Sequence, residues 1–394
     1  MRYDMNLKII IFVSSKPRMM EKHDILYKPE EVRSRIIMGR GSVESARSYL
    51  LALLSSFSHV FAFIDKNLMM KSKAAFDIAL QLQQEGVPMR AIEASEQSKT
   101  MDSVMDICSW LMDKGADRDA LLVAIGGGIT TDMVGFSASI YKRGVRYVSV
   151  PTTLLSQVDA GLGGKTGVNF MQYKNMLGTV HQPFFTFIWP EFLKTLPRRD
   201  FLSGAAELLK TFMIEDESGQ WYAKAVHLLQ TYTASDGDWT LISEDDIADV
   251  IEAAAKVKAG IVSRDPFEKG ERRKLNLGHT FAHAIENLAR KKDADITHGE
   301  AVAMGLVLAA TLARKLDSAN RFDTSEGLAS RIAADLTSCG ICAESPFPVE
   351  EMADAMSKDK KAEGGKVHFV LPHEIGAVAV VDLSVDEVCR LFAQ

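Results

Sequence analysis

One apolar segment followed directly by three glycines limits the possible folds of this chain more than any other feature. Residues 120–125 are all apolar, as expected of a strand buried on both faces of a parallel sheet. Gly126, Gly127 and Gly128 follow, and a helix is predicted over residues 133–141. Backbone N–H groups in such a turn can approach a phosphate at the start of a helix. The turn matches neither G-x-G-x-x-G nor a P-loop, so nucleotide binding and a glycine turn without a ligand both remain open.

Strand and helix patterns alternate on both sides of this segment. The predicted strands cover residues 34–41, 60–64, 89–93 and 145–150, and the predicted helices cover residues 42–54, 71–86 and 101–114. A strand is also predicted over residues 9–13, ahead of a polar stretch. Because β-α-β-α order favours a parallel sheet covered by helices, residues 1–192 are predicted to form an α/β nucleotide-binding domain.

Helical patterns dominate from about residue 193. The predicted helices cover residues 200–213, 218–232, 245–262, 276–289, 300–316, 326–338 and 349–357, and a hairpin is predicted over residues 367–380. Residues 193–394 are therefore predicted to form a second, mostly α-helical domain.

Composition excludes several classes of protein. The chain has 46 basic and 52 acidic residues, a net charge of -6, which argues against a nucleic-acid or membrane-surface binder. The apolar run at residues 301–313 is shorter than the roughly 18 residues of a membrane span, and the N-terminal apolar run is too short for a signal peptide. Cys339 and Cys342 have ligand-like spacing but no second pair with which to form a zinc ribbon. A cytoplasmic protein with reduced cysteines is expected.

Histidines that could bind a metal are concentrated in E-R-R-K-L-N-L-G-H-T-F-A-H, residues 271–283. In a helix over residues 275–288, His279 and His283 would lie about 6 Å apart along the axis and roughly 40° apart around it. Thr280 stands where H-E-x-x-H proteases have their general base, so protease chemistry is unsupported. His298, in H-G-E-A-V, adds a third imidazole. The ordinary alternative is a pair of helix histidines with polar partners.

Three further groups of residues are ambiguous when taken alone. Thr152 and Thr153 follow a predicted strand, at the edge where open α/β sheets bind ligands. Four glycines between residues 161 and 167 surround Lys165, which fits either a ligand loop or a flexible surface loop. Glu207 and Lys210 share a helix face, for which a surface salt bridge is the usual explanation.

Taken together, the spaced motifs resemble the 3-dehydroquinate synthase family, within the wider group of sugar phosphate cyclases. The resemblance extends from about residue 36 to the C-terminus, and the first 35 residues align poorly. It is carried, in order, by G-G-G-x-x-x-D, K-R-G, P-T-T-L-L-x-x-V-D, G-G-K-T-G-V-N, K-N, A-E-L-L-K, K-A-x-I-V-x-x-D-x-x-E-x-G-x-R, L-N-L-G-H-T-x-x-H-A-I-E, H-G-E-A-V and D-K-K. Departures at Ser95, Thr131 and residues 159–161 alter no charged or ligating group.

The resemblance implies a dehydroquinate synthase-like fold with NAD and a zinc ion, for which cobalt could substitute. The implied metal ligands are Glu207, His279 and His298, which leave one position open for substrate. The implied NAD contacts are Asp65, Glu96, Lys99, Gly127, Gly128, Asp132, Thr152, Thr153, Lys165 and Lys174. The implied substrate contacts are Arg143, Asp159, Lys165, Lys174, Asn175, Lys210, Lys258, Glu268, Arg272, Asn276, His283 and Lys360.

The resemblance also suggests how these residues share the work. His283 and Asn276 would orient groups or relay protons around the phosphate, and Lys165, Lys210, Asp159 and Glu268 complete the expected catalytic set. Lys165, Arg143 and Lys360 would hold the phosphate, while Lys258 and Arg272 would fix the carboxylate of a phosphorylated sugar acid.

The expected reaction converts 3-deoxy-D-arabino-heptulosonate 7-phosphate into 3-dehydroquinate and phosphate. The expected steps are transient oxidation by NAD, phosphate elimination, reduction and intramolecular aldol closure, and the expected assembly is a homodimer. The alternatives are another cyclase of the aminodehydroquinate, 2-deoxy-scyllo-inosose or valiolone synthase type, a metal-dependent alcohol dehydrogenase, and a non-catalytic NAD- and metal-binding homologue.

Overall fold

The structure, a computed structural model, describes residues 7–9, 23–25, 33–40, 43–171, 173–216, 218–357 and 366–393. Residues Met1–Arg33 and Ser34–Gln394 form separate compact units. In the first unit, strands β1 (Leu7–Ile9) and β2 (His23–Ile25) pair antiparallel. Most of the strand predicted over residues 9–13 lies outside the described residues.

A parallel sheet forms the first part of the larger unit, as the alternating pattern predicted. Its strands are β3 (Arg35–Met38), β4 (Val60–Asp65), β5 (Met89–Ile92), β6 (Leu121–Gly126), β7 (Arg146–Pro151) and β10 (Phe185–Ile188). They lie in the order β3-β10-β7-β6-β4-β5, and every neighbouring pair among them is parallel. An antiparallel hairpin of β8 (Lys165–Phe170) with β9 (Tyr173–Val180) interrupts the alternation.

Helices cover both faces of this sheet. They are α1 (Val43–Leu54), α2 (Lys66–Lys71), α3 (Lys73–Gln84), α4 (Met101–Asp113) and α5 (Gly128–Ile140). Because strand side chains alternate, Leu121, Val123 and Ile125 of β6 pack into the core that contains α1 and α3. Leu122 and Ala124 pack into the opposite core, with α4 and α5. The continuous apolar run thus reflects burial on both faces, as predicted.

The second half of the chain is mostly helical, also as predicted. Its helices are α6 (Arg198–Ile214), α7 (Gln220–Ala234), α8 (Glu244–Arg264), α9 (His279–Lys291), α10 (His298–Ser318), α11 (Leu328–Ser338), α12 (Val349–Ser357) and α13 (Val385–Ala393), and its hairpin is β11 (Val367–Glu374) with β12 (Ala377–Leu383). Helix α6 is buried continuously from Phe201 to Ile214, so its polar side chains are held inside the core. The domain boundary at residue 192 stays a prediction.

Two predicted helix starts were wrong. Helix α5 begins at Gly128, five residues before the predicted start, with Gly127 as its N-cap. Helix α9 begins at His279 because Gly278 adopts a left-handed conformation with φ 75°. The β8–β9 hairpin and helix α13 were not predicted. A Cβ on Gly178 would lie 2.1 Å from the Thr166 carbonyl oxygen, so glycine at this position allows β8 and β9 to pair closely. The glycines around Lys165 therefore belong partly to a hairpin, and not only to a loop.

The four cysteines are not paired in disulfides in the structure. Within the described part of the chain, no helix combines the length and apolar character needed to cross a membrane.

Candidate active site and metal centre

A carboxylate and two imidazoles converge from three helices. Glu207 projects from the buried helix α6, His279 begins α9, and His298 begins α10. One donor atom from each lies within 4.8 Å of the other two. The three residues predicted as metal ligands are therefore brought together, although they lie up to 91 positions apart in the chain.

The two donor spacings that involve Glu207 fit a small divalent cation. Glu207 Oε1 lies 3.5 Å from His279 Nε2 and 3.4 Å from His298 Nε2. Two atoms that are each about 2.1 Å from a tetrahedral zinc are about 3.4 Å apart. Among the described residues, neither oxygen of Glu207 has a hydrogen-bond partner of good geometry. Oε2 is paired with the Lys210 ammonium, so Oε1 is the oxygen left to face a further cation, and together with the two imidazoles it fits a metal ion.

Charges around the triad keep Glu207 ionised. Its side chain is fully buried, and Lys210 Nζ lies 2.5 Å from Glu207 Oε2. Burial alone would raise the pKa of Glu207, but Lys210 and His298 outweigh it and lower the pKa to about 2. Burial would lower the pKa of His298, but Glu207 and Glu286 raise it to about 10. Glu207 and Lys210 do form an i, i+3 ion pair, but both side chains are buried, so the pair is not the surface salt bridge that the spacing alone would suggest.

The ligand-bearing helices α6 and α10 touch at Gly299. The Gly299 N–H donates to Ser203 Oγ at 3.0 Å, and a Cβ on Gly299 would lie 2.0 Å from the Ser203 carbonyl oxygen. Backbone atoms cannot move aside as a flexible side chain can. This close approach fixes the position of His298 relative to α6.

Replacing Gly299 by alanine is expected to destabilise the protein by about 1–3 kcal/mol through overpacking, and to weaken metal binding by displacing His298. Urea unfolding and a chelator competition measure the two effects. Gly260→Ala is the matched control, because a Cβ there meets only the end of the Arg264 side chain, at 3.2 Å. Equal free energies of unfolding for the two variants would contradict the close packing of α6 and α10.

A second charge pair joins α8 to the turn after β7. Lys258 Nζ donates to both the carbonyl and a carboxylate oxygen of Asp159, and Lys210 Nζ lies 4.0 Å from the same carboxylate. Burial would raise the pKa of Asp159, but Lys258 and Lys210 lower it below its ordinary value. Glu207, Lys210, Asp159 and Lys258 therefore form one continuous network of alternating charge, buried except at Asp159, whose side chain is 21% exposed.

A third group lies on the segment before α9. Glu268 accepts from Lys165 Nζ and, at 2.6 Å, from Asn276 Nδ2. Arg272 is buried and donates to the carbonyls of Pro266 and Gly163 at 2.6 and 3.1 Å. Its Nε has no hydrogen-bond partner among the described residues. Lys210 Nζ also donates to the Leu275 carbonyl at 2.8 Å, which connects this segment to α6.

Three other predicted substrate contacts lie outside these charged groups. The ring of His283 lies 5.5 Å from the ring of His279, so it borders the triad. Arg143 is exposed, just before β7, whereas Thr152 and Thr153 follow that strand. The structure therefore places Arg143 at the opposite edge of the sheet from these threonines and does not bring it to the cluster. Lys360 lies outside the described residues.

Five of the predicted cofactor residues, Asp65, Gly127, Gly128, Thr152 and Thr153, lie at the carboxyl ends of strands. Gly127 approaches Thr153 so closely that a Cβ would lie 2.9 Å from its methyl group. The Thr152 N–H donates to the Gly126 carbonyl at 3.0 Å, which ties β7 to the glycine turn. Asp65 ends β4 and accepts from the Asn67 N–H at 2.8 Å as the N-cap of α2. The first N–H groups of α5, including that of Gly128, are available to an anion at this edge.

Polar contacts link the segment before α4 to the β8–β9 hairpin. Lys99 is buried and donates to Asp132 Oδ2 and Asn175 Oδ1, both at 2.6 Å. Burial raises the pKa of Asp132 to about 6, although Lys99 acts in the opposite direction. Glu96 accepts from the Asn169 side chain at 2.8 Å. Five residues thus connect the segment before α4, helix α5 and the β8–β9 hairpin. Of these five, only Asn169 was not among the predicted site residues.

Glu286 is a further residue that the sequence analysis missed. Its Oε1 lies 3.4 Å from His298 Nδ1 and 2.9 Å from Lys174 Nζ. The spacing could have identified it, since residues 279, 283 and 286 recur at i, i+4 and i+7 on one face of α9.

Comparison with solved structures defines the class of fold. A 2-epi-5-epi-valiolone synthase from Streptomyces hygroscopicus subsp. jinggangensis, solved with NAD+ and Zn2+ bound, is 28% identical with a TM-score of 0.79, covering 94% of this chain and 98% of its own. A 2-deoxy-scyllo-inosose synthase solved with carbaglucose-6-phosphate, NAD+ and Co2+ is 23% identical with a TM-score of 0.75, covering 91% and 95%. The chain therefore has the dehydroquinate synthase-like fold, as predicted.

Sequence comparison is more specific. The family models "3-dehydroquinate synthase N-terminal" and "3-dehydroquinate synthase C-terminal" match residues 89–203 and 204–362. A 3-dehydroquinate synthase from Acidithiobacillus ferrooxidans is 41% identical over 291 residues, which are 73% of this chain and 75% of that protein. The chain belongs to the 3-dehydroquinate synthase family.

Proposed function

We propose that this protein converts 3-deoxy-D-arabino-heptulosonate 7-phosphate into 3-dehydroquinate and phosphate, with NAD and zinc as cofactors. Family membership supports the reaction. The observation that carries the proposal is the convergence of Glu207, His279 and His298, at donor spacings that suit a tetrahedral ion, on a buried lysine network.

Glu207, His279 and His298 would hold the metal and leave one position open, the pattern of a catalytic rather than a structural zinc. When bound, zinc supplies Lewis-acid polarisation of substrate oxygens, and NAD accepts a hydride and later returns it. Cobalt could substitute at such a nitrogen and oxygen site. The glycine turn at Gly127 and Gly128 would receive the pyrophosphate of NAD at the start of α5.

Charged side chains of the chain would hold the substrate. Lys210 and Lys258 are buried cations, each beside a carboxylate, and a bound anion would share their charge. Arg272 is suited to the substrate carboxylate because its Nε has an unused N–H in a buried position. Lys165 is more exposed, with 60% of its side chain accessible, and would turn from Glu268 to the substrate phosphate.

Proton movement would depend on groups beside the metal. His283 borders the triad, and an imidazole can both accept and donate a proton. Asn276 is oriented by Glu268 and by the Arg273 carbonyl, so its amide can hold a substrate oxygen in a fixed position. We propose His283 as the proton carrier and Asn276 as the residue that orients the substrate.

Another sugar phosphate cyclase is the competing function, since two of the solved neighbours are named as such enzymes. Buried Arg272 favours a substrate that carries a carboxylate. The cytoplasmic location, the homodimer and the substrate contacts of Arg143 and Lys360 stay predictions.

A substrate comparison tests this choice. Phosphate release is measured with 3-deoxy-D-arabino-heptulosonate 7-phosphate, and then with sedoheptulose 7-phosphate and glucose 6-phosphate, which lack the carboxylate. A buried charge pair is worth roughly 2–5 kcal/mol, so kcat/KM is expected to favour the sugar acid by at least about 30-fold. A preference for either carboxylate-free sugar would assign the protein to a different cyclase reaction.

A further inference from the structure

Glu286 closes a line of alternating charges that runs through the candidate metal centre. Lys210 pairs with Glu207, Glu207 faces Nε2 of His298, Nδ1 of His298 faces Glu286, and Glu286 pairs with Lys174. Each carboxylate therefore contacts one ring nitrogen of His298 and one lysine. The reaction proposed above uses Glu207 and Lys210 but gives Glu286 no role.

The two histidines of the triad are oriented by different acceptors. His279 Nδ1 lies 3.2 Å from the backbone carbonyl of Leu277. His298 Nδ1 lies 3.4 Å from Glu286 Oε1. An imidazole that donates from Nδ1 keeps the Nε2 lone pair for a metal ion, and a carboxylate acceptor also makes that nitrogen a stronger donor. In both residues the nitrogen that faces Glu207 is the one left for the metal.

Burial makes the Glu286 contact different from an ordinary surface ion pair. The Glu286 side chain is 14% exposed, whereas that of Lys174 is 49% exposed. His279 and Glu286 both belong to α9, while His298 begins α10. Glu286 of α9 therefore fixes the side chain of His298 on α10, and α9 also carries the candidate ligand His279.

We propose that Glu286 is a positioning residue for the metal centre. It holds His298 in the tautomer and orientation that present Nε2 to the ion, and through Lys174 it links that imidazole to the β8–β9 hairpin. This inference depends on the proposed function only in requiring that Glu207, His279 and His298 bind a metal.

Zinc affinity and the spectrum of a cobalt-substituted protein test the proposal without any measurement of turnover. Glu286→Gln keeps the shape of the side chain but removes its charge, and Glu286→Ala removes the acceptor. Loss of such an outer partner typically weakens metal binding by about 10–100-fold. The glutamine variant is expected near the lower value and the alanine variant near the upper one. The visible absorption bands of bound Co2+ are expected to shift in both.

Two further variants separate this role from general destabilisation. Glu351→Gln removes the charge of an exposed carboxylate that pairs with Lys292, and it should leave zinc affinity unchanged. Lys174→Met breaks the link to the hairpin but leaves Glu286 beside His298, so zinc affinity is expected to change by less than about threefold, which is under 1 kcal/mol.

Two results would overturn the proposal. The first is wild-type zinc affinity and an unchanged cobalt spectrum in folded Glu286→Gln and Glu286→Ala. The second is an equal loss of affinity in Lys174→Met, which would place the effect in the hairpin. Zinc binding without phosphate release would reject the proposed reaction but leave this inference standing, whereas a wild-type protein that binds no metal would reject both.

Discussion

Replacing His279 by alanine is expected to remove bound metal and turnover together. His279 Nε2 is one of two imidazole nitrogens within 3.5 Å of Glu207 Oε1, and no other described group completes the triad in its place. A Lewis acid contributes several kcal/mol to the reaction, so kcat should fall roughly a thousandfold or more. Metal analysis of the purified variant and a phosphate-release assay measure the two losses.

His227→Ala is the matched control, because His227 is exposed on α7. Its metal content and turnover should equal those of the wild type. A His279→Ala variant with full zinc occupancy and activity would reject the metal assignment.

Replacing Lys210 by methionine is expected to destabilise the metal-free protein strongly. Lys210 is 1% exposed and lies between Glu207 and Asp159, at 2.5 and 4.0 Å from their oxygens. Removing one partner of a buried ion pair typically costs about 3–5 kcal/mol, because a buried charge is left uncompensated. For a chain of this length, that loss lowers Tm by about 5 °C.

Zinc is expected to rescue this variant more than it stabilises the wild type. In the variant, Glu207 has lost its cationic partner, and the divalent ion would take the place of that partner. The variant also lacks the repulsion between the ion and the Lys210 ammonium that is present in the wild type. Turnover should remain at least about a hundredfold below wild type, because the bound substrate anion no longer has the Lys210 ammonium beside it. Thermal unfolding with and without zinc, followed by an activity assay, measures these effects.

Lys256→Met provides the control, since Lys256 is 75% exposed and pairs with Glu252 on the surface of α8. Such pairs contribute about 0–1 kcal/mol. A Lys210→Met protein that is as stable as the wild type without metal, with the same Tm increase on adding zinc, would contradict the buried network.

Much of the fold followed from the sequence because its strands are apolar and separated by turn residues. Residues 120–125 were recognised as a strand buried on both faces, and β6 has that environment. The β8–β9 hairpin was missed because its glycines suggested a loop, whereas Gly167 and Gly178 allow the two backbones to approach closely. Helix α5 starts early because Thr130 and Thr131 are buried against neighbouring elements, and tertiary packing there outweighs weak helix propensity.

The site was less accessible to local pattern reasoning. Spacing indicated that His279 and His283 share a helix face, but nothing local placed Glu207 beside them, 72 positions earlier. The Glu207 and Lys210 pair resembled a surface salt bridge because i, i+3 spacing contains no information about burial. Family resemblance supplied the triad, and the structure brings its members together. A role for Glu286 was not predicted, because a carboxylate on a helix is usually exposed to solvent.

Product formed per molecule of NAD is the measurement that tests the central claim most directly. Zinc-loaded protein is mixed with excess 3-deoxy-D-arabino-heptulosonate 7-phosphate and a trace of NAD, phosphate is followed over time, and the carbocycle is identified by mass and NMR. The account requires many molecules of 3-dehydroquinate per NAD, with phosphate in equal amount and no net accumulation of NADH. Product limited to one equivalent per NAD, or no phosphate release by protein that has bound both zinc and NAD, would contradict it.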